Sequence, residues 1–175
     1  MARSFFFILI SLALLILLLV YPSWQAQKPP VTGLVRVERV VDGDTIKLVG
    51  GERVRLLGID TPELHESAKL LRDAQRSGKD IKTIQKLGQR AKDFVNPLLA
   101  GKNIRLDFDI EKRDKYGRLL AYIYLEDGTF INKVIIENGY AVPLTIPPNI
   151  KHADEFKELY RTARAKGLGL WADEK

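Results

Sequence analysis

A chain of 175 residues with no cysteine can have no disulfide, no thiolate nucleophile and no Cys-based zinc site. It carries 28 basic and 22 acidic residues, a net charge of +6, which suits an encounter with a polyanion such as nucleic acid or an anionic lipid surface, or simply solubility. Removing residues 1–26 takes away only Arg3 from this balance, and what remains has enough apolar residues for one core.

The amino terminus comes first. Met1-Ala2-Arg3-Ser4 is a short basic segment, and an apolar run broken only by Ser11 extends from Phe5 to Tyr21. Such a run has the layout of a secretory signal and is also just long enough to cross a bilayer as an N-terminal hydrophobic helix. Small residues at the spacing of a cleavage site are missing, since Trp24 stands two before Ala26 and Tyr21 two before Ser23. An uncleaved anchor is therefore the expectation, with Arg3 holding the amino end in the cytoplasm and the rest facing the periplasm or exterior. A cleaved signal would instead give a secreted protein. Residues 27–32, with Lys28-Pro29-Pro30, read as a linker, and a single domain is expected over 33–172.

From Gly33 the pattern becomes β. Leu34 to Val41 is valine-rich and partly alternating, Asp42-Gly43-Asp44 turns the chain, Thr45 to Val49 resumes, and Glu52 to Ile59 makes a third strand after Gly50-Gly51. Short antiparallel hairpins are the expected connection. Residues 64–83 are polar and basic, with a short helix expected around Ser67–Arg76. The next stretch places Leu87, Ala91, Phe94, Val95, Leu98 and Leu99 on one helical stripe, which Pro97 should kink or end. Ile104 to Phe108 and Leu119 to Leu125 are the fourth and fifth strands. A short helix begins near Asn132 as N-cap, 143–149 is a Pro-rich loop, and a last amphipathic helix spans about His152 to Lys166. Three strands, a helix, two strands and further helices give a mainly β fold, a five-stranded OB-type β-barrel with about three packed α-helices.

Three charged turns carry the chemistry. Asp42-Gly43-Asp44-Thr45 sets two carboxylates one residue apart and could bind Ca²⁺ or Mg²⁺ through oxygen, although Asp-Gly is also ordinary hairpin composition. In Asp60-Thr61-Pro62-Glu63, Pro62 fixes its own φ and biases Thr61 toward an extended backbone, which can aim the Thr61 carbonyl and the Asp60 carboxylate one way. The same string also serves as a helix start. Asp114-Lys115-Tyr116-Gly117-Arg118 offers Arg118 for bidentate contact with phosphate and Tyr116 for stacking on a nucleotide, or is a plain β-turn. Arg55, on the third strand beside Asp60, could be a structural ion pair, but that explains one arginine and leaves the other with three acidic turns. His65 and His152 have no metal-ligand partner at helical spacing.

Together these strings carry a resemblance. Val-Asp-Gly-Asp-Thr at 41–45, Arg-Leu-Leu-Gly-Ile-Asp-Thr-Pro-Glu at 55–63 and Asp-Lys-Tyr-Gly-Arg-Leu-Leu-Ala-Tyr-Ile-Tyr at 114–124, with Asn132, Gly139-Tyr140-Ala141 and Gly169-Leu170-Trp171, resemble a staphylococcal-nuclease-like (thermonuclease) domain from about Gly33 to Trp171. The resemblance implies a Ca²⁺-dependent endonuclease acting on DNA and RNA. It implies Ca²⁺ ligation by Asp44, Asp60 and the Thr61 carbonyl, with Asp42 beside the metal. Glu63 is implied to position or deprotonate the attacking water, Arg55 and Arg118 to clamp phosphate, and Lys115 and Tyr116 to line the nucleotide site. A monomer with no obligate protein partner is expected, attached to the membrane through residues 5–21 if these are retained. A non-catalytic OB-fold nucleic-acid binder or membrane-tethered interaction module is the alternative. The acidic set argues against it, because Asp44, Asp60 and Glu63 would repel a phosphate without a cation between them.

The chain departs from the family in two places. The stretch after Glu63 is longer than in the simplest members and carries Lys69, Arg72, Arg76, Lys79 and Lys82, either a basic flap beside the substrate or a tolerated insertion. The loop Val142 to Pro148 is apolar where the type member has tyrosines that help hold the nucleotide, so base-side binding should be weaker or differently selective.

Overall fold

The computed structural model describes residues 33–174; the expected signal or anchor and its linker, 1–32, lie outside the described residues. Among the described residues no helix is long and apolar enough to cross a membrane.

Five strands close a barrel in the order β1 (Leu34–Asp42), β2 (Thr45–Leu48), β3 (Arg53–Leu56), β6 (Leu119–Leu125), β5 (Asn103–Asp107). Period-two alternation puts Val54 and Leu56 of β3 inside and Arg53 and Arg55 on the other face. The imperfect alternation of β1 has a local cause. Its register shifts between Val37 and Arg39, so Glu38 and Arg39 both face outward and Val37 and Val40 both stay in the core. Ile46, Leu48, Ile104, Ala121 and Ile123 complete that core.

Two features differ from the hairpin expectation. Strand β3 pairs with β6 in parallel, Arg55 opposite Leu120, which makes the barrel mixed. The expected third strand is also two strands. The chain turns at Leu57-Gly58, and β4 (Gly58–Asp60) leaves the barrel to pair antiparallel with β7 (Val142–Leu144), inside the stretch expected to be loop. Gly58 has φ +76°, and a Cβ there would lie 2.6 Å from the Phe156 ring, so glycine is required at this bend.

Four helices, at the four places expected along the chain, and a terminal 3₁₀ turn (Gly169–Glu174) cover the barrel. Helix α1 (Ala68–Ser77) is capped by Ser67, whose Oγ accepts the Leu70 N–H at 3.0 Å, and ends at Gly78 in the left-handed region. Helix α2 (Ile81–Leu99) buries Ile84, Gly88, Ala91, Val95 and Leu99 and runs through Pro97. The proline removes a single N–H bond near the helix end, and the Ala100 N–H still reaches the Asn96 carbonyl. Helix α4 (Ala153–Ala165) buries Phe156 and Ala163.

In helix α3 (Ile131–Glu137) Phe130, not Asn132, is the capping residue. Asn132 is fully buried inside the helix. Its Oδ1 accepts the Ile123 N–H at 2.9 Å and its Nδ2 donates to the Leu57 carbonyl at 2.8 Å. It thereby ties β6 to the bend that launches β4 toward the acidic turn.

Candidate active site

The β1–β2 turn, the end of β4 and the loop before β6 converge on one cavity of about 630 Å³. Its lining includes Asp42, Asp44, Arg55, Asp60, Glu63, Lys115, Tyr116 and Arg118. Thr61 is buried behind them, with its N–H and Oγ1 donating to Asp44 Oδ2 at 2.9 and 3.1 Å. Of the two histidines, His65 is exposed and lines neither this cavity nor the neighbouring one described below.

Asp44 and Arg55 form the hub. Asp44 Oδ2 also faces Arg55 Nη1 at 3.0 Å, while Oδ1 accepts the Thr45 hydroxyl at 3.1 Å. Burial opposes ionisation of Asp44, but the Arg55 guanidinium, the Thr61 N–H and the Lys69 charge outweigh it and hold the carboxyl below its ordinary range. Arg55 Nη1 donates to the carbonyls of Leu56 and Ile59 at 3.2 and 2.9 Å, and Nη2 donates to Asp60 Oδ1 at 2.6 Å. A guanidinium has five N–H donors, so these bonds leave Nε and one hydrogen of Nη2 for a further acceptor. Burial raises the Asp60 pKa against the pull of Arg55. Burial also raises Asp42, together with the charges of Asp44 and Glu63, to about 7.

Arg118 is positioned by Asp114, a residue the sequence reading left without a role. Asp114 Oδ1 accepts the N–H groups of Tyr116 and Arg118 at 2.9 and 3.0 Å, an Asx-type turn, and its Oδ2 accepts Arg118 Nε at 2.7 Å. The Arg118 guanidinium then lies 5.7 Å from the Tyr116 ring centroid, with its terminal nitrogens available. Leu144 and Ile146 face the same cavity as Tyr116.

The basic stretch after Glu63 divides. Leu70 anchors α1 in the core and Arg72 and Arg76 are exposed, but Lys69 turns into the acidic centre. Its Nζ lies 3.2 Å from Asp60 Oδ2, 3.1 Å from the Thr61 carbonyl oxygen, 3.0 Å from Glu63 Oε1 and 3.4 Å from Asp73 Oδ2. Desolvation disfavours this ammonium, yet Asp60, Glu63 and Asp44 raise its pKa to about 12. The sequence offers Lys69 only as one residue of a basic flap or insertion; its contact with the acidic centre has no local signal.

No three His, Asp or Glu side chains form a metal cage by themselves among the described residues. The expected donor set differs from such a cage, because its third oxygen is the Thr61 carbonyl. The donors fit a hard divalent cation on one observation. Two of the expected donors, Asp60 Oδ2 and the Thr61 carbonyl, already converge with Glu63 Oε1 within 3.2 Å of one positive charge, the Lys69 ammonium, while Asp44 is turned to Arg55 and Thr61.

Two glycines make the convergence possible. A Cβ on Gly43 would lie 2.8 Å from Thr61 Cγ2, and one on Gly88 would lie 2.8 Å from the Pro62 carbonyl oxygen and 2.9 Å from that of Glu63. Helix α2 therefore approaches the Pro62-Glu63 backbone as closely as it does because position 88 has no side chain. Gly88→Ala gains about 1 kcal/mol of helix propensity but must push that backbone away. The expected outcome is a net loss of about 1–2 kcal/mol in thermal or urea unfolding, with reduced turnover because Glu63 moves.

A second, mostly apolar cavity of about 360 Å³ lies against Asp60-Thr61-Pro62, lined also by Ile84, Leu87, Val142 and Trp171, and it holds neither arginine of the pair.

Comparison with known proteins places the chain in a family. The staphylococcal nuclease homologue family matches residues 53–173. The thermonuclease of Staphylococcus intermedius is 37% identical over 138 residues, covering 77% of this chain and 74% of that protein. The thermonuclease of Staphylococcus hyicus is 30% identical, covering 79% and 75%. Endonuclease YncB of Bacillus subtilis is 36% identical, covering 79% of this chain and 61% of its own length. The chain belongs to the staphylococcal nuclease family, a family of phosphodiesterases.

Proposed function

We propose that this protein is a Ca²⁺-dependent endonuclease that hydrolyses DNA and RNA on the outer side of a membrane. The observation that carries the reading is the placement of two guanidinium groups, each with N–H donors left for an anion, on one cavity with Asp44, Asp60 and Glu63. A binder of nucleic acid that does not cut it gains nothing from three carboxylates beside the phosphate path.

Asp44, Asp60 and the Thr61 carbonyl are the groups that would hold Ca²⁺, with Asp42 next to them. When bound, Ca²⁺ supplies Lewis acidity toward the phosphate and a template for water. The rest is the work of the chain. The remaining N–H donors of Arg55 and the terminal nitrogens of Arg118 grip non-bridging phosphate oxygens, more tightly as charge builds on them. Glu63 accepts a hydrogen bond or a proton from the attacking water, a contribution of about 10²–10⁴-fold. Lys115 and Tyr116 flank the nucleotide, and the aliphatic wall of Leu144 and Ile146 gives its base a greasy surface without hydrogen-bond donors. The apolar run 5–21 supports an outward-facing anchored enzyme, or a secreted one if it is cleaved.

The test is the full-length chain, purified in detergent, on single-stranded DNA, duplex DNA and RNA with Ca²⁺ or with chelator. Cleavage of all three that stops in chelator is the expected result. Full rates in excess chelator defeat the metal assignment, and binding without cleavage in any divalent ion defeats the enzyme.

A further inference from the structure

Helix α1 lies in the basic stretch after Glu63, and with its cap it delivers Lys69 and Ser67 to the acidic centre. Ser67 Oγ lies 3.4 Å from Glu63 Oε2 while Lys69 holds Oε1, so both oxygens of Glu63 are engaged from this one element. The Lys69 ammonium sits among oxygens of Asp60, Thr61 and Glu63, two of which are expected cation ligands. A Ca²⁺ bound at the usual oxygen distances of about 2.3–2.6 Å could not share Asp60 Oδ2 and the Thr61 carbonyl with an ammonium already 3.1–3.2 Å from both. Like charges that close repel, and each oxygen has a limited number of lone pairs.

Asp73 offers the ammonium a second place. It stands one helical turn beyond Lys69, with Oδ2 at 3.4 Å, on the side of Lys69 that belongs to the same helix. The lysine stem has enough rotatable bonds to withdraw toward Asp73 while α1 stays anchored by Leu70.

We propose that Lys69 is a tethered counter-ion that neutralises Asp60 and Glu63 in the metal-free protein and competes with the divalent cation for Asp60 and the Thr61 carbonyl, withdrawing to Asp73 when the cation binds. It is a positioning residue. It keeps the carboxylates gathered when no metal is present, and it raises the cation concentration the enzyme needs.

The inference rests on the cation reading given above, and the experiment separates the two. Ca²⁺ and Tb³⁺ binding to the full-length chain are measured directly, by calorimetry and by sensitised lanthanide luminescence, without substrate. Lys69→Met is expected to bind at least about tenfold more tightly than the unaltered protein, the equivalent of losing one competing ion pair. Asp73→Asn, which removes the second place, is expected to bind about threefold more weakly. Thermal melting in chelator should show Lys69→Met less stable than the unaltered protein, with Ca²⁺ restoring more stability to it than to the parent. Lys69→Gln, polar and of similar reach, provides the same reading should the methionine variant fold poorly. Unchanged or weaker binding in both Lys69 variants overturns the proposal, and unchanged binding in Asp73→Asn overturns its second half. Absence of binding in the unaltered protein and in Asp60→Asn alike would instead remove the cation reading itself.

Discussion

Arg118→Lys is expected to lower turnover by about 10²–10³-fold while leaving the unfolding transition in place, whereas Arg55→Lys lowers both. The difference follows from what each guanidinium touches. Arg118 is 30% exposed, reaches across a surface turn, and bonds to one carboxylate four residues away in its own loop. A lysine there can still meet Asp114, and only the planar fork offered to phosphate is lost. Arg55 is 14% exposed and joins two carboxylates to two backbone carbonyls across the β3–β4 bend. An ammonium has three donors with no fixed plane and cannot span Asp44, Asp60, Leu56 and Ile59 at once. At least one buried charge–dipole bond is forfeited, about 1–3 kcal/mol, and Asp44 and Asp60 are left closer to open repulsion. Turnover measured beside thermal unfolding on the same two variants checks this. Equal stability losses would mean that Arg118 is as much a structural residue as Arg55, and loss of activity without loss of stability in Arg55→Lys would reduce its packing role to nothing.

The same contrast shows what was legible beforehand. The three charged turns were visible because Gly and Pro mark where a chain must reverse, and turn residues at strand ends point into a shared cavity once the barrel closes. Asp42, Asp44, Arg55, Asp60, Glu63, Lys115, Tyr116 and Arg118 all line it. What stayed hidden depends on elements far apart in sequence. Nothing local to Arg53–Leu56 says that it will pair in parallel with Leu119–Leu125, or that the apolar run to Ile59 breaks at Gly58 to make a separate strand. Asn132 resembles a cap because Asn usually is one; its side chain is instead committed to Leu57 and Ile123. Pro97 looks like a stop, yet in the last turn it removes one bond and tight packing of Val95 and Leu99 carries the helix past it. Lys69 is the sharpest case. Charge patterning alone leaves it between a basic flap and a tolerated insertion, and it is the packing of the neighbouring Leu70 that anchors α1 where Lys69 meets Asp60. Tertiary context overrode the local signal in each instance.

Asp42→Asn is expected to stabilise the metal-free protein, and to do so more as pH rises. The Asp42 carboxyl is raised from 3.8 to about 7 by burial and by the nearby charges of Asp44 and Glu63. Below about pH 4 the carboxyl is protonated in both folded and unfolded chains and contributes nothing to the pH dependence. Between about 4 and 7 the folded protein keeps a proton that the unfolded chain has released. Unfolding then releases protons, so stability falls with rising pH across that window and levels off above it. The gap of about three units sets a ceiling of about 4 kcal/mol on the loss. Shared protonation with Asp44 makes about 1–3 kcal/mol the expected size. Asparagine matches the protonated form in shape and cannot ionise. Its advantage should be near zero at pH 4, grow through pH 7 and stay constant beyond. Ca²⁺ beside Asp42 favours the ionised carboxylate and should flatten the slope of the unaltered protein. Urea unfolding of both proteins from pH 4 to 8, in chelator and in Ca²⁺, measures all three trends. An advantage for Asp42→Asn that is independent of pH would mean that the carboxyl is already ionised in the folded protein at pH 4, and that Asp42 sits in a wetter, less crowded place than its packing against Asp44 implies.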